Sequence, residues 1–209
     1  MQLLEYQVIL GVIAAIVGLA GYVPYFKDII KKRIKPHAFS WLIWGITQTA
    51  VFFAQTSKGG GAGAWAVGAP ALLNLIIFVI AIFRGEKEIT RLDKASLLFA
   101  LSGIALWAIT TDPLWSVIIA TGVDVVGFVP TARKSYKKPN EEAVTIYMLN
   151  GMAFGISLFA LQSVNLTTFL YPASLVVTNA VFVTMVMMRR GFRFNSYKSK
   201  LKARKIVHI

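Results

Sequence analysis

Apolar runs separated by short polar connections fill the chain from residue 6 to residue 188. A helix needs about 20 apolar residues to cross a bilayer. Seven windows reach or approach that length: 6–26, 38–56, 63–83, 95–111, 113–132, 143–162 and 166–188. The pattern predicts an all-α membrane protein with seven transmembrane helices. Charge or glycine marks most of the connections. Thr110-Thr111-Asp112-Pro113 and Gln162-Ser163-Val164-Asn165 are expected to be tight turns instead. The segment Met1 to Gln7 has no Lys or Arg and carries Glu5. It lacks the basic start of a cleavable signal peptide, so the first run is expected to stay as a spanning helix.

The same order of residues then recurs. Gly21-Tyr22-Val23-Pro24 returns as Gly127-Phe128-Val129-Pro130, a shift of 106 residues. That shift also maps Val17 onto Val123, Lys31-Lys32 onto Lys137-Lys138, Gly45 onto Gly151 and Phe53-Ala54 onto Phe159-Ala160. One ungapped register over about forty residues marks a duplication. A three-helix unit ends on the side opposite its start, so two parallel copies need one helix between them. The 95–111 window fills that place. The expected layout is two parallel three-helix repeats joined by a linker helix (3+1+3): 1–88, 89–112 and 113–190, with a basic cytoplasmic tail at 191–209. Transporters built from such repeats place the substrate site at the repeat interface.

Composition agrees with a membrane setting: 56% hydrophobic, 15% charged and a mean hydropathy of +0.65 are too apolar for an ordinary soluble domain. The net charge of +13 does not mark a nucleic-acid binder, because the basic residues sit between and after apolar runs, without interleaved aromatics. Of 22 basic residues, 21 fall in 27–37, 84–94, 133–142 and 189–205, all on one side of a seven-span chain; Lys58 alone falls on the other. By the positive-inside rule the N-terminus is outside and the C-terminus cytoplasmic, as for an integral, multi-pass protein of the plasma (inner) membrane. There is no cysteine, and no metal-ligand spacing, phosphate loop or nucleophile–base set. No metal, no cofactor and no enzymatic activity are therefore expected. Gly59-Gly60-Gly61 is expected to be a flexible outside turn, and His37 and His208 carry no assigned chemistry.

Seven spans, an outside N-terminus and a proline near the cytoplasmic end of the first and fifth helices resemble the PQ-loop superfamily, which includes the SWEET and SemiSWEET transporters. The resemblance covers almost the whole chain and is to a bacterial-type member. The glutamine that follows the proline in that family is replaced here by Tyr25 and Thr131. Family members are similar in having an asparagine midway along the third and seventh helices, facing a central cavity, and Asn74 and Asn179 match those positions.

Several residues gain meaning from this frame. Asn74 and Asn179 are lone amides in apolar runs; they suit a sugar hydroxyl or another polar solute, or else join helices by hydrogen bonds. Asp124 is the one acid inside a span window, and its counterpart in the first repeat is Gly18. It is a proton-coupling candidate, with a structural hydrogen bond as the alternative. Trp44 is a candidate to line the cavity and stack on a sugar ring, and Asn150 is its counterpart in the second repeat. Trp41 is expected to anchor at the interface, and Trp65, Trp107 and Trp115 to form an outer belt. Pro24 and Pro130 are hinge candidates, whereas Pro70 and Pro172 are expected to be fixed kinks. The tail attracts anionic lipid.

The expected function is a carrier of a small polar solute, with sugar as the leading class, working by alternating access between the two bundles. A non-transporting receptor or lipid-handling scaffold on the same fold is the alternative. The expected partners are the solute and the bilayer; a monomer could suffice, and a homo-oligomer is left open.

Overall fold

The computed structural model describes residues 2–110 and 112–206; the side chains of 2–4, 107–108 and 192–206 lie outside that description. The described residues form eight α-helices and no strand: α1 (Gln2–Ala20), α2 (Tyr22–Ile30), α3 (Ala38–Ser57), α4 (Trp65–Arg84), α5 (Arg91–Ile109), α6 (Pro113–Lys137), α7 (Val144–Phe159) and α8 (Leu166–Ile206). Two 3-10 turns, Gly61–Ala64 and Pro139–Glu141, complete the order. Each predicted window contains a helix, α1 and α2 sharing the first. Four apolar stretches are long enough to cross a membrane: Glu5–Ile30, Gly61–Arg84, Pro113–Lys137 and Leu166–Gly191; Val144–Phe159 is apolar but shorter.

The helices that fall short do so for visible reasons. In α3, Ser40, Thr47, Gln48 and Gln55 lower the hydropathy, yet all four are buried against other helices. The first turn of α5 holds Arg91, Asp93 and Lys94. That end is a capping box: the Thr90 N–H donates to Asp93 Oδ2 at 2.7 Å, and the Asp93 N–H donates to Thr90 Oγ1 at 3.3 Å. The start of α6 is fixed by Asp112, whose carboxylate accepts from the Leu114 and Trp115 amides at 2.7 and 3.3 Å, with Pro113 at the first helical position. Helices α5, α6 and α8 extend past their apolar windows into basic sequence, because Lys and Arg are good helix formers and the chain does not need lipid to stay helical.

Helix α3 packs between α4 and α6, and α1 between α4 and α7. Helix α8 lies against α7 and α6, and α5 runs along α6. One apolar cluster gathers Tyr22, Tyr25, Trp41, Trp44, Tyr147 and Phe182, and a second gathers Val51, Val67, Val117, Phe154 and Tyr171. The perimeter carries exposed Leu, Phe and Val side chains such as Leu72, Phe83, Leu98 and Val181, as a lipid-facing surface would.

Glycine-rich residues 59–61 differ from the expected flexible turn. Gly59 and Gly61 take positive φ values of 77° and 53° and lead into an ordered 3-10 turn whose Ala62, Gly63 and Ala64 are buried. Helix α1 seats directly on it: a Cβ at Gly11 would meet the Ala62 carbonyl oxygen at 2.5 Å. Because that obstacle is backbone, Gly11→Val is expected to lower stability by about 1–3 kcal/mol, read as a drop in the thermal midpoint of purified protein. Gly122 has nothing within 4 Å of a built Cβ. Gly122→Ala is therefore expected to leave the midpoint unchanged or raise it.

Candidate functional site

Polar side chains converge where the helices meet. A small cavity is lined by Tyr22 of α2, Trp41, Trp44 and Gln48 of α3, Asn74 of α4, Asp124 and Phe128 of α6, Tyr147 and Asn150 of α7, and Asn179 of α8. The five residues singled out in the sequence for solute or proton, Asn74, Asn179, Trp44, Asn150 and Asp124, thus face one space. Its volume is about 20 Å³, against roughly 10–15 Å³ for one water. As it stands, the cavity admits a group the size of a water molecule and not a sugar ring.

The polar groups are bonded across helices. The Tyr22 hydroxyl donates to Asn74 Oδ1 at 2.5 Å, and Asn74 Nδ2 donates to Gln48 Oε1 at 2.8 Å. Asp124 Oδ1 accepts from the Tyr171 hydroxyl at 2.7 Å and from Thr47 Oγ1 at 3.2 Å. The indole N–H of Trp44 approaches the Asp124 carbonyl at 3.4 Å. Asn179 differs from Asn74: its Nδ2 donates to Leu175 O in its own helix at 2.8 Å. One amide is tied to two neighbouring helices, and the other is free of interhelical bonds at its nitrogen.

Tyr22, Gln48, Thr47 and Tyr171 were not singled out in the sequence. A signal existed for the α3 residues: Ser40, Trp44, Thr47, Gln48, Val51 and Gln55 follow one another at helical spacing, which puts them on one face. Trp41 is a correction. It is 2% exposed and stacks among Tyr25, Trp44 and Tyr22 with ring centroids 5.0, 5.2 and 6.3 Å away. An interfacial anchor would be half in water; packing against three aromatic neighbours in the first cluster drew this ring inward. Trp65 and Trp115 are 39% and 60% exposed, and the side chain of Trp107 lies outside the described residues. Pro24 and Pro130 do not line the cavity. The helix is interrupted at Gly21, before Pro24, but α6 runs unbroken through Pro130.

The basic end is closed by an ionic network. Lys134 Nζ, buried in α6, pairs with Glu142 Oε2 and donates to the carbonyls of Lys35 at 2.7 Å and Glu141 at 3.0 Å. All three ammonium protons are used. Glu142 Oε1 accepts from the Tyr25 hydroxyl at 2.7 Å and from Tyr147 at 3.3 Å. Lys138 pairs with Glu86 at 3.0 Å. Arg190, just before the tail, donates to Glu142 O at 2.7 Å and closes onto this end; the side chains of 192–209 lie outside the described residues. The opposite end is closed by neutral bonds: Gln7 Nε2 to Leu161 O at 2.9 Å, Gln55 Nε2 to Thr168 O at 3.0 Å and the Ser163 N–H to Gly59 O at 3.1 Å.

His37, left without chemistry by the sequence, is buried at the basic end beside Asp93, with Nε2 3.6 Å from Oδ2 and both ring nitrogens without a hydrogen-bond partner. Asp93 is already gripped by Arg133, Nε at 2.9 Å and Nη2 at 2.8 Å. Burial would raise the Asp93 carboxyl, but the Arg133 guanidinium and the Thr90 donors outweigh it and hold it below its ordinary 3.8. Burial lowers His37 below its ordinary 6.5; Asp93 opposes this, and Arg133 and Lys134 reinforce it. No family model matches the chain, and no curated protein or solved structure matches it.

A folded-state value below the unfolded one means that the unfolded chain binds more protons in between, so stability is complete above pH 6.5 and falls as pH drops through that window. The thermal midpoint is expected to decrease from pH 7.5 to 5.5, with a slope of at most about 1.4 kcal/mol per pH unit from this group. His37→Gln is expected to flatten that decrease. Asp93 contributes only below 3.8 and does not move the result in this range.

Proposed function

We propose that the protein is a membrane carrier for a small polar solute, working by alternating access between two three-helix bundles. The observation that carries this reading is the convergence of amide, carboxylate and aromatic side chains from both halves of the duplicated chain on one small central space. The bundles are α1–α4 and α6–α8, with α5 as the linker, in a 3+1+3 order of seven spans and with the basic end cytoplasmic. The packing supports that order. Under the 106-residue shift, the contact of the first helix with α7 corresponds to that of α6 with α3, and the pairing of α3 with α4 corresponds to that of α7 with α8. Resemblance to the PQ-loop and SWEET transporters makes sugar the leading solute class. Both ends are sealed by bonds that cross from one repeat to the other, which is the arrangement expected of an occluded carrier. Rocking would open one set at a time about Pro24 and Pro130, and Asp124 would couple the cycle to protons.

The reading is tested by uptake into liposomes holding the purified protein, with a labelled panel of sugars, amino acids and small acids, with and without a proton gradient. Saturable flux of at least one solute is expected, reduced tenfold or more in an Asn74→Ala/Asn179→Ala variant of unchanged thermal midpoint. No flux across the panel from folded protein would favour a receptor or scaffold instead.

A further inference from the structure

We infer that the solute carries a protonated amine, held at Asp124 against the rings of Trp44, Phe128 and Tyr147. This rests on reading the central cavity as the solute site, and it narrows the solute class.

Asp124 is 1% exposed. Both of its hydroxyl partners bond one oxygen, Oδ1, while Oδ2 is buried with no partner at all. None of the residues lining the cavity is Lys, Arg or His, and among the described residues no ion pair includes Asp124. The chain therefore supplies hydroxyls to position this carboxylate and no cation to neutralise it. A carboxylate within an apolar helix is costly unless it is protonated or paired. The missing partner has to come from outside the protein, as a proton or as a cationic solute.

The walls suit a cation. Trp44 and Phe128 have ring centroids 4.7 Å apart, Trp44 and Tyr147 6.1 Å, and Phe128 and Tyr147 6.3 Å, and all three rings line the cavity. Aromatic faces attract ammonium groups electrostatically, most strongly where water is excluded. The size agrees as well: an –NH3+ head matches the water-sized space, and the remainder of the solute would enter as the bundle opens.

The repeat register shows that the charge is an addition to a shared frame. The counterpart of Asp124 is Gly18, and the counterpart of its hydrogen-bond donor Thr47 is Ala153. Acid and supporting hydroxyl are thus present together in one half-site and absent together from the other. A neutral polyol is served by Asn74, Gln48, Asn150 and Asn179 without any charge. An amino alcohol or amino sugar uses both the amides and the carboxylate. Because one oxygen takes either a proton or the ammonium, loading one releases the other, and the cycle becomes an exchange of one solute cation for one proton.

Matched pairs that differ only in amine against hydroxyl test this: ethanolamine with ethylene glycol, and glucamine with glucitol. Binding is read by tryptophan fluorescence and by the shift in thermal midpoint of the purified full-length protein. The amine of each pair is expected to act at concentrations at least tenfold below its neutral partner. Asp124→Asn should abolish that difference. Phe128→Leu, which keeps apolar bulk but removes a ring face, should weaken amine binding about threefold or more and leave the neutral partner unchanged. Lowering the pH should weaken amine binding through proton competition; the other titratable groups facing Asp124 are Tyr22 of α2, Tyr147 of α7 and Tyr171 of α8, none of which gains a charge on acidification. Equal binding within the pairs, no amine binding, or an amine preference that persists in Asp124→Asn would overturn the inference. Liposome flux separates it from the carrier reading. Transport of glucitol with exclusion of glucamine leaves a carrier and removes the cation site. Amine binding dependent on Asp124 without any flux leaves the cation site and removes the carrier.

Discussion

A polar group cut off from water is costly unless it finds a partner, and that constraint organises the molecule. A bilayer offers no hydrogen bonds, so unsatisfied groups are costly in it and polar side chains collect where helices face one another. Here they collect along the seam between α1–α4 and α6–α8. Asn74 is bonded by Tyr22 and Gln48, one oxygen of Asp124 by Tyr171 and Thr47, and Lys134 by Glu142 and two carbonyls. The first two sets join different helices, and the third ties α6 to the connections at the basic end. The apolar clusters supply bulk, but the polar seam dictates which helix faces which.

The seam also has a gradient along it. At its basic end the bonds are ionic, in its centre they are amides and one carboxylate, and at its far end they are amide-to-carbonyl bonds. Removing one partner of the buried Lys134–Glu142 pair would leave an uncompensated charge, a loss on the order of 3–5 kcal/mol. The neutral bonds at the other end are worth about 0.5–1.5 kcal/mol each. The first apolar cluster lies beside the ionic end, so rings such as Tyr25 and Tyr147 both pack against aromatic neighbours and bond Glu142.

Much of this was legible in the sequence because it follows from periodicity and charge. The apolar windows found the helices, since length and hydropathy are properties of single segments. The repeat register put Asn150 opposite Trp44, and five candidate residues share one cavity. What stayed hidden depends on pairing between distant segments. His37 looked like a residue in a basic loop; only folding sets it against Asp93, 56 positions along the chain. Trp41 carried the usual mark of an interfacial ring, and nothing local revealed that Tyr22 and Tyr25 would enclose it. Basic residues counted only for orientation, such as Lys134, Lys138 and Arg133, proved to be paired, because the same loops that carry the positive charge also carry most of the acids.

That pairing bears on how a two-ended seam can move. Opening either end would trade bonds across the repeats for contact with water. At the basic end water also restores hydration to Lys134 and Glu142, so opening costs the difference between two stabilised states and not the whole attraction. The end with neutral bonds has less to lose and less to regain. The two ends therefore respond to different influences: salt acts on the ionic end through the exposed Glu88 and its half-buried partner Lys138, while hydrogen bonds and packing govern the neutral end. A duplicated frame would otherwise be alike on both sides. Ionic closure on one side, and a carboxylate in only one of the two half-sites, make the two ends chemically unlike.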